Sequence, residues 1–255
     1  MESGFSTPLL DSFRRGDVAR DVRLLAAQGA LAPRALEQLG LLMLLAGDVD
    51  PEIAAAAEQT LQVIPRESLS AFLARPDAGS ELRSFFQARG IEPTPGSVFD
   101  TDAPLVDTGG TPEQAPPADD GKSVAQRIAG LTVPQKVQLA MKGSREERGV
   151  LVRDSNKLVA VAVLSSPKLT DSEVEMIAKM ASVSEELLRF IAKTRAWIKS
   201  YPIVAALAKN PKTPLAISLN LLPRLNERDV KMLSQDRNVP DVLRVSARQK
   251  VVLNR

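Results

Sequence analysis

The chain contains no cysteine and no histidine, and these two absences exclude a large part of enzyme chemistry. Without cysteine there are no disulfides, no thiolate nucleophiles and no Cys-ligated zinc or iron–sulfur sites. Without histidine the chain lacks the commonest general base and metal ligand. We therefore predict that the protein is not an enzyme and that it has no catalytic residue, no cofactor and no metal site.

Long apolar runs are also missing. The most apolar run, residues 39–46 (LGLLMLLA), is far shorter than the ~20 residues that a membrane-spanning helix needs. The first ten residues, MESGFSTPLL, carry an acid at Glu2 and no basic region, which is unlike a secretory signal. These features predict a soluble, cytoplasmic protein with no membrane partner.

Positive charge is scarce in the first part of the chain and abundant in the last. Residues 1–90 contain nine arginines, no lysine and twelve acids, and residues 91–121 contain seven acids and no base. Residues 122–255 contain 24 bases and 12 acids, so the net charges of the three parts are −3, −7 and +12. Asymmetry of this size predicts different surroundings or partners for the two ends of the chain.

Composition predicts three parts. Residues 91–122 are dense in Pro, Gly, Asp and Thr and show no apolar periodicity, so we predict a disordered acidic linker. Residues 1–90 and 123–255 are predicted to be an acidic α-helical domain and a basic α-helical repeat domain. The linker has two alternative roles. It is a recognition segment if its apolar pairs Val98-Phe99 and Leu105-Val106 bind a groove, and an autoinhibitor if it docks on the basic domain.

Helical signals dominate both predicted domains. Asp50-Pro51-Glu52 marks a helix start, and capping boxes begin at Thr132 and Ser144, with a third at Thr170. The run VAVAV at residues 159–163 has the β-branched content of a strand, but helix caps bracket it, so we predict a helix. Apolar residues recur at helical spacing in five earlier segments, residues 20–28, 33–45, 51–63, 67–73 and 80–89.

The most informative pattern is an internal repeat with an offset of 56 residues. Residues 150–187 align with residues 206–243, and most of the pairs that are not identical keep apolar against apolar. The alignment predicts that Leu169 and Leu225 occupy equivalent buried positions. Repeated helical units are typical of stacked binding scaffolds rather than of catalytic folds. The identical pairs are Leu151/Leu207, Ala160/Ala216, Pro167/Pro223, Leu169/Leu225, Val174/Val230, Met176/Met232, Val183/Val239 and Leu187/Leu243.

Three stretches of the chain resemble the HEAT-like and leucine-rich-repeat-variant α-solenoids. They are LVRDSNKLVAVAVL at residues 151–164, LAKNPKTPLAISLN at residues 207–220 and GDVDPEIAAAAEQTL at residues 47–61. The resemblance covers most of the basic domain and half of the acidic one. It implies an all-α fold of stacked helical hairpins that binds proteins or, less often, nucleic acid. The iron–sulfur module of some family members is not implied, because the chain has no cysteine.

Five cations are candidates for a binding surface. Arg153 and Lys209 are equivalent in the repeat, as are Lys168 and Arg224, and Lys193 holds a half-repeat position. Stacked repeats would align these cations along one edge, suited to phosphates or to an acidic protein surface. Cations near helix C-termini are also favoured by the helix dipole, and both interpretations remain open.

The only tryptophan and the only tyrosine complete the candidate surface. Trp197 and Tyr201 lie among basic residues, where aromatic rings stack on nucleobases or anchor a protein partner, or else pack between repeats. We predict a cytoplasmic, non-catalytic adaptor or scaffold that binds protein partners through helical-repeat surfaces. The alternative is a nucleic-acid-binding module that uses the basic domain.

Overall fold

The computed structural model describes residues 7–32, 34–94, 103–106 and 123–253, and all of its regular structure is helical. Within these residues there are sixteen α-helices, two single-turn 3-10 helices and no β-strand. The predicted all-α fold class is therefore confirmed. No helix in the described ranges is long and apolar enough to cross a membrane.

The chain forms two compact units, Met1–Lys168 and Leu169–Arg255. Ten helices belong to the first unit: α1 Pro8–Arg14, α2 Arg20–Ala27, α3 Ala35–Leu45, α4 Pro51–Val63, α5 Arg66–Leu73, α6 Ser80–Gln87, α7 Val124–Ala129, α8 Val133–Lys142, α9 Arg145–Leu151 and α10 Lys157–Leu164. Six belong to the second: α11 Asp171–Lys179, α12 Glu185–Lys193, α13 Tyr201–Lys209, α14 Leu215–Leu221, α15 Glu227–Leu233 and α16 Asp241–Leu253.

Helix α10 explains why the first unit extends to Lys168. Residues 158–164 are seven consecutive buried residues, so this helix is apolar on every side and needs neighbours all round it. Helices α8 and α9 cover part of its surface and α1 covers another part, while α2 packs against α8. The boundary at Lys168 differs from the division predicted at residues 91–122, because the early helices and α7–α10 share one core.

Two pieces of the predicted linker make ordered contacts with the first unit. Ile91 is 9% exposed and donates its N–H to the carbonyl of Phe86 at 3.0 Å, and Thr94 donates its N–H to the carbonyl of Ser70 at 3.2 Å. Residues 103–106 contact α3. The prediction of disorder does not hold for these residues, and the remaining parts, 95–102 and 107–122, lie outside the described residues.

Helix boundaries follow the local signals. Ser144 donates its N–H to the Glu147 carboxylate at 2.6 Å and accepts the Glu147 N–H at 3.3 Å, which completes the predicted capping box. The predicted helix at residues 159–163 is confirmed by α10. Helix α1 was not predicted, although Thr7 caps it by accepting the Leu10 N–H at 3.3 Å. Its seven residues are too few to show apolar periodicity.

The 56-residue offset reproduces several helix starts and burial states, but not those of α10 and α14, which begin 58 residues apart and in which Ala160 is buried whereas Ala216 is exposed. Helices α9, α11 and α12 begin 56 residues before α13, α15 and α16 respectively. Met176 and Met232 are both exposed, whereas three equivalent pairs are at most 4% exposed: Val174/Val230, Val183/Val239 and Leu187/Leu243. Leu225 is 6% exposed but Leu169 is half-buried, so the burial predicted for that pair holds only for Leu225.

Candidate functional site

Two of the five candidate cations hold helix ends. Lys168 donates from Nζ to the backbone carbonyl of Lys142, the last residue of α8, at 3.1 Å. Arg224 donates to the backbone carbonyl of Ile198. Lys168 and Arg224 are 56 residues apart in the sequence, and so are the residues whose carbonyls they bind. The second contact is therefore the repeat equivalent of the first. These side chains satisfy carbonyls near helix termini.

The other three candidate cations have different surroundings. Lys209 forms an ion pair with Asp229, with Nζ 2.6 Å from Oδ1. Arg153 and Lys193 are exposed, and neither has an ion pair or side-chain hydrogen bond within the described residues. Arg153 and Lys168 belong to the first unit, and the other three cations belong to the second. The structure therefore does not assemble the five cations into a single described site.

Both candidate aromatic residues have partners inside the second unit. Trp197 is half-buried and makes an edge-to-face contact with Phe190, with ring centroids 5.7 Å apart and planes at 81°. Tyr201 is 39% exposed, donates its hydroxyl to Asp229, and accepts the N–H of Asn226 at 3.1 Å. These contacts fix both rings against neighbouring helices.

Asp229 is the centre of a small polar cluster that connects α13 to α15. Its carboxylate accepts from Lys209 and from the Tyr201 hydroxyl, and these hydrogen bonds hold its pKa below the ordinary value, with Lys209 the larger cause. Burial, reinforced by Asp229, raises the pKa of Tyr201. A deprotonated carboxylate and a neutral phenol are thus favoured at neutral pH. Neither group is suited to exchanging protons near neutral pH, so the cluster points to a structural role.

Asp229→Asn is expected to lower the free energy of unfolding at pH 7 by about 1 kcal/mol, because a charge-assisted hydrogen bond is lost. Since the folded-state pKa of Asp229 is depressed, its stabilising effect is present above the unfolded-state pKa and disappears as the pH falls through the folded-state value. Urea unfolding should therefore show that the free energies of unfolding of the wild type and the variant become equal below about pH 4. The stability of Lys209→Met should become equal to that of the wild type in the same pH range. A difference in stability that persists in acid would contradict this account.

An arginine groove of about 480 Å³ lies at the start of α16, lined by Gln235, Arg237, Asp241, Arg244 and Arg248. Arg248 donates from Nε to the carbonyl of Ser234 at 3.1 Å, and Arg244 pairs with Asp241. The three arginines have no counterpart in the preceding repeat, where the equivalent residues are Ala181, Leu188 and Ala192. The three arginines of this groove are therefore not part of the repeated pattern.

A stripe of exposed valines runs beside that groove. Val242, Val245 and Val252 are 54%, 48% and 70% exposed. Their spacing of three and seven residues places them on one face of α16. Sequence analysis did not single them out, because their spacing equals that of a buried helical face.

Val242 and Val245 correspond to Glu186 and Arg189 of α12, which are ordinary residues for a solvent-facing helix surface, while Val252 corresponds to Ala196, beyond the end of α12. The repeat fold therefore does not require apolar residues at positions 242 and 245. Comparisons of this chain with protein-family models, with proteins of curated function and with solved structures found no match. Its resemblance to HEAT-like arrays therefore rests on its own repeated residues.

Proposed function

We propose that this protein is a non-catalytic, cytoplasmic adaptor built of stacked helical hairpins, and that the exposed face of α16 binds an amphipathic helix of a partner protein. The observation that carries the proposal is the valine stripe formed by Val242, Val245 and Val252. Adaptor function, absence of catalysis and cytoplasmic location remain predictions.

The packing order supports a stacked-hairpin, solenoid-like arrangement for α7–α10 in the first unit and for the helices of the second unit. In the first unit, α7 packs on α9 and α8 packs on α10. In the second, α11 packs on α13 and α14 packs on α16. Contact between a helix and the next but one, as in these four pairs, is the relation expected when successive hairpins stack. Such arrays typically present their helices as extended surfaces for macromolecular partners.

The valine stripe has no structural role in the described residues. Exposed valines scattered singly are ordinary, but Val242 and Val245 are adjacent on one helical face, and Val252 lies further along the same face beyond Gln249. Because α12 carries Glu186 and Arg189 at equivalent positions, charged residues are compatible with this helix in the repeat. An apolar stripe that the fold does not need is the expected signature of a binding face.

Charge beside the stripe indicates the chemistry of the partner. Arg244 and Arg248 lie along one edge of it, and Arg237 extends the positive surface. A helix with an apolar face and carboxylates along one edge complements this arrangement. A second copy fits less well, because antiparallel pairing of α16 with itself brings the two arginine edges together. We therefore commit to a partner helix with an acidic edge.

A photo-crosslinking residue in place of Val245, introduced in the full chain in cells that produce it, tests the proposal. The crosslinked peptide is expected to come from an amphipathic helix with an acidic edge. Its affinity for the purified protein should then fall about tenfold or more in the Val242→Glu/Val245→Arg variant, which copies the residues of α12.

Val49→Glu/Val63→Arg is the matched control, because those valines are 95% and 70% exposed in the first unit. It should leave the affinity unchanged. Crosslinks to a second copy of the chain would replace the partner helix with self-association. Equal affinity in both variants would show that the stripe does not bind.

Nucleic-acid binding is the second candidate function, and the arginine groove is the observation that favours it. Phosphate contacts by these arginines would give an affinity that falls steeply with salt. We expect no measurable duplex or single-strand binding by the full chain at about 150 mM salt, since Arg244 and Arg248 already bind Asp241 and the Ser234 carbonyl, and none of the described lining residues is aromatic for stacking on single-stranded bases. Tight binding under those conditions, abolished by Arg237→Ala/Arg248→Ala, would favour the nucleic-acid function.

A further inference from the structure

Four residues of the acidic segment, 103–106, lie against α3 and are bound there by a single buried side chain. Gln38 is 1% exposed. Its Oε1 accepts the N–H of Leu105 at 2.7 Å and the N–H of Val106 at 3.1 Å. Its Nε2 donates to the carbonyl of Val106 at 3.0 Å and to that of Gly29 at 3.1 Å.

These four hydrogen bonds use the full capacity of the carboxamide, which has two donors and an oxygen with two lone pairs. Three of the four go to the main chain of Leu105 and Val106. The pairing with both the N–H and the C=O of Val106 reproduces what an adjacent β-strand offers to an extended peptide. Gln38 therefore recognises an extended backbone.

The occupant is a short apolar sequence in polar surroundings. Pro104 restricts the backbone just before the recognised pair, and Leu105 and Val106 are half-buried. In the sequence, Asp102 and Asp107 flank the four residues. Contact is thus limited to a main-chain pairing and two partly covered side chains, which is the way many domains bind short linear motifs.

Residues 103–106 can leave α3 without disrupting any helix of the described fold. The chain between Thr94 and Ser123 contains no described helix, and its composition is that of a linker. Docking of the four residues is therefore a local equilibrium, separate from unfolding of the first unit.

We propose that the surface of α3 around Gln38 is a binding site for extended peptides in which a proline precedes two apolar residues with acidic flanks. Residues 103–106 are its intramolecular occupant, and a partner peptide of the same type displaces them. The site belongs to the first unit, so it is separate from the α16 surface and does not depend on the adaptor proposal. The same inference gives the apolar pair at Leu105-Val106 a role as a recognition sequence.

Tethering makes the intramolecular occupant a strong competitor. A segment that belongs to the same chain as its site has an effective concentration of the order of millimolar. A free peptide must overcome that competition, so its apparent affinity for the wild-type protein should be reduced in proportion to the occupied fraction.

A fluorescent peptide with the sequence of residues 100–109, DTDAPLVDTG, is the probe. It is titrated into the full chain and into the full-length Leu105→Asp/Val106→Asp variant, which weakens the intramolecular occupant but leaves Gln38 and the rest of α3 unchanged. Fluorescence polarisation should show at least about tenfold tighter binding to the variant. Adding Gln38→Met to that variant should remove the gain.

A second peptide, N-methylated at the valine that corresponds to Val106, provides the decisive control. It retains every side chain but lacks one N–H that Gln38 accepts, and the protein itself is unchanged, so folding of a variant is not at issue. Its affinity should fall about tenfold or more. The proposal is overturned if the double variant binds the probe no better than the wild type, or if N-methylation leaves the affinity unchanged.

Discussion

Leu243→Ala in α16 is expected to lower the free energy of unfolding by ~2–5 kcal/mol, because truncating a fully packed leucine removes apolar contacts and leaves a cavity. Leu243 is 1% exposed, and it is equivalent in the repeat to Leu187 of α12, which is also 1% exposed. Leu187→Ala should therefore cost a similar amount. Urea unfolding of the full chain, followed by circular dichroism, measures both losses.

Two methionines supply the control for this comparison. Met176 and Met232 are also equivalent in the repeat, but they are 37% and 53% exposed. Truncating either to alanine should change the stability by only about 0.5 kcal/mol. If Leu187→Ala or Leu243→Ala falls in that control range, the two leucines are not equivalent core residues and the repeat alignment does not describe the packing.

The helices were largely predictable because their signals are local. A capping box such as that of Ser144 involves residues three positions apart, and helical periodicity shows within two or three turns. Caps also decided the assignment of residues 159–163, where β-branched content alone favours a strand. The same local rule shows why α1 was missed, since Thr7 and Pro8 mark its start but its seven residues carry little periodicity.

The division into units was not predictable from composition. Charge separates the chain at residues 91–122, whereas the compact units meet between Lys168 and Leu169. The composition and charge of a segment indicate how much of it is exposed to solvent. A hydrophobic core, by contrast, is formed jointly by helices that are distant in the sequence. The burial of residues 158–164 on all sides shows that α10 needs neighbours, yet it does not identify α1 as one of them.

The candidate residues were chosen for their charge and aromaticity, and the structure shows how much of that chemistry is used internally. Lys168 and Arg224 bind carbonyls, and Tyr201 binds Asp229. Gln38 and the valines of α16 gave no comparable signal. A buried glutamine and an outward-facing valine differ from ordinary helix residues only in their surroundings, which depend on tertiary packing.

Asn210→Asp is expected to lower the free energy of unfolding by ~3–5 kcal/mol, because it places an uncompensated carboxylate in a buried site. Asn210 is 4% exposed and follows α13. Its Nδ2 donates to the carbonyls of Ala178 at 2.7 Å and Met180 at 3.0 Å, so it binds the end of α11 to α13. An aspartate at position 210 would place a carboxylate oxygen, which can only accept hydrogen bonds, beside two carbonyl oxygens that also only accept.

The equivalent residue in the preceding repeat shows why position 210 needs an amide. Asp154 occupies the same turn, and its carboxylate accepts the N–H of Asn156 at 2.8 Å, as Asn210 accepts that of Lys212 at 2.9 Å. The second oxygen of Asp154 lies 2.9 Å from the ammonium group of Lys136. At the corresponding position, the side chain of Asn210 faces two backbone carbonyls instead of a cation. The turn thus accepts either side chain, and the neighbour determines which one is stable.

Two further variants separate the contributions at this turn. Asn210→Ala loses the two hydrogen bonds without adding charge, so its cost should lie below that of Asn210→Asp, at about 1–3 kcal/mol. Asp154→Asn keeps the turn acceptor and loses only the pairing with Lys136, which is 18% exposed and remains partly hydrated, so it should cost about 1 kcal/mol. Urea unfolding of the three variants at pH 7 gives this order directly. Equal costs for Asn210→Asp and Asp154→Asn would mean that the amide of Asn210 does not hold α11 in place.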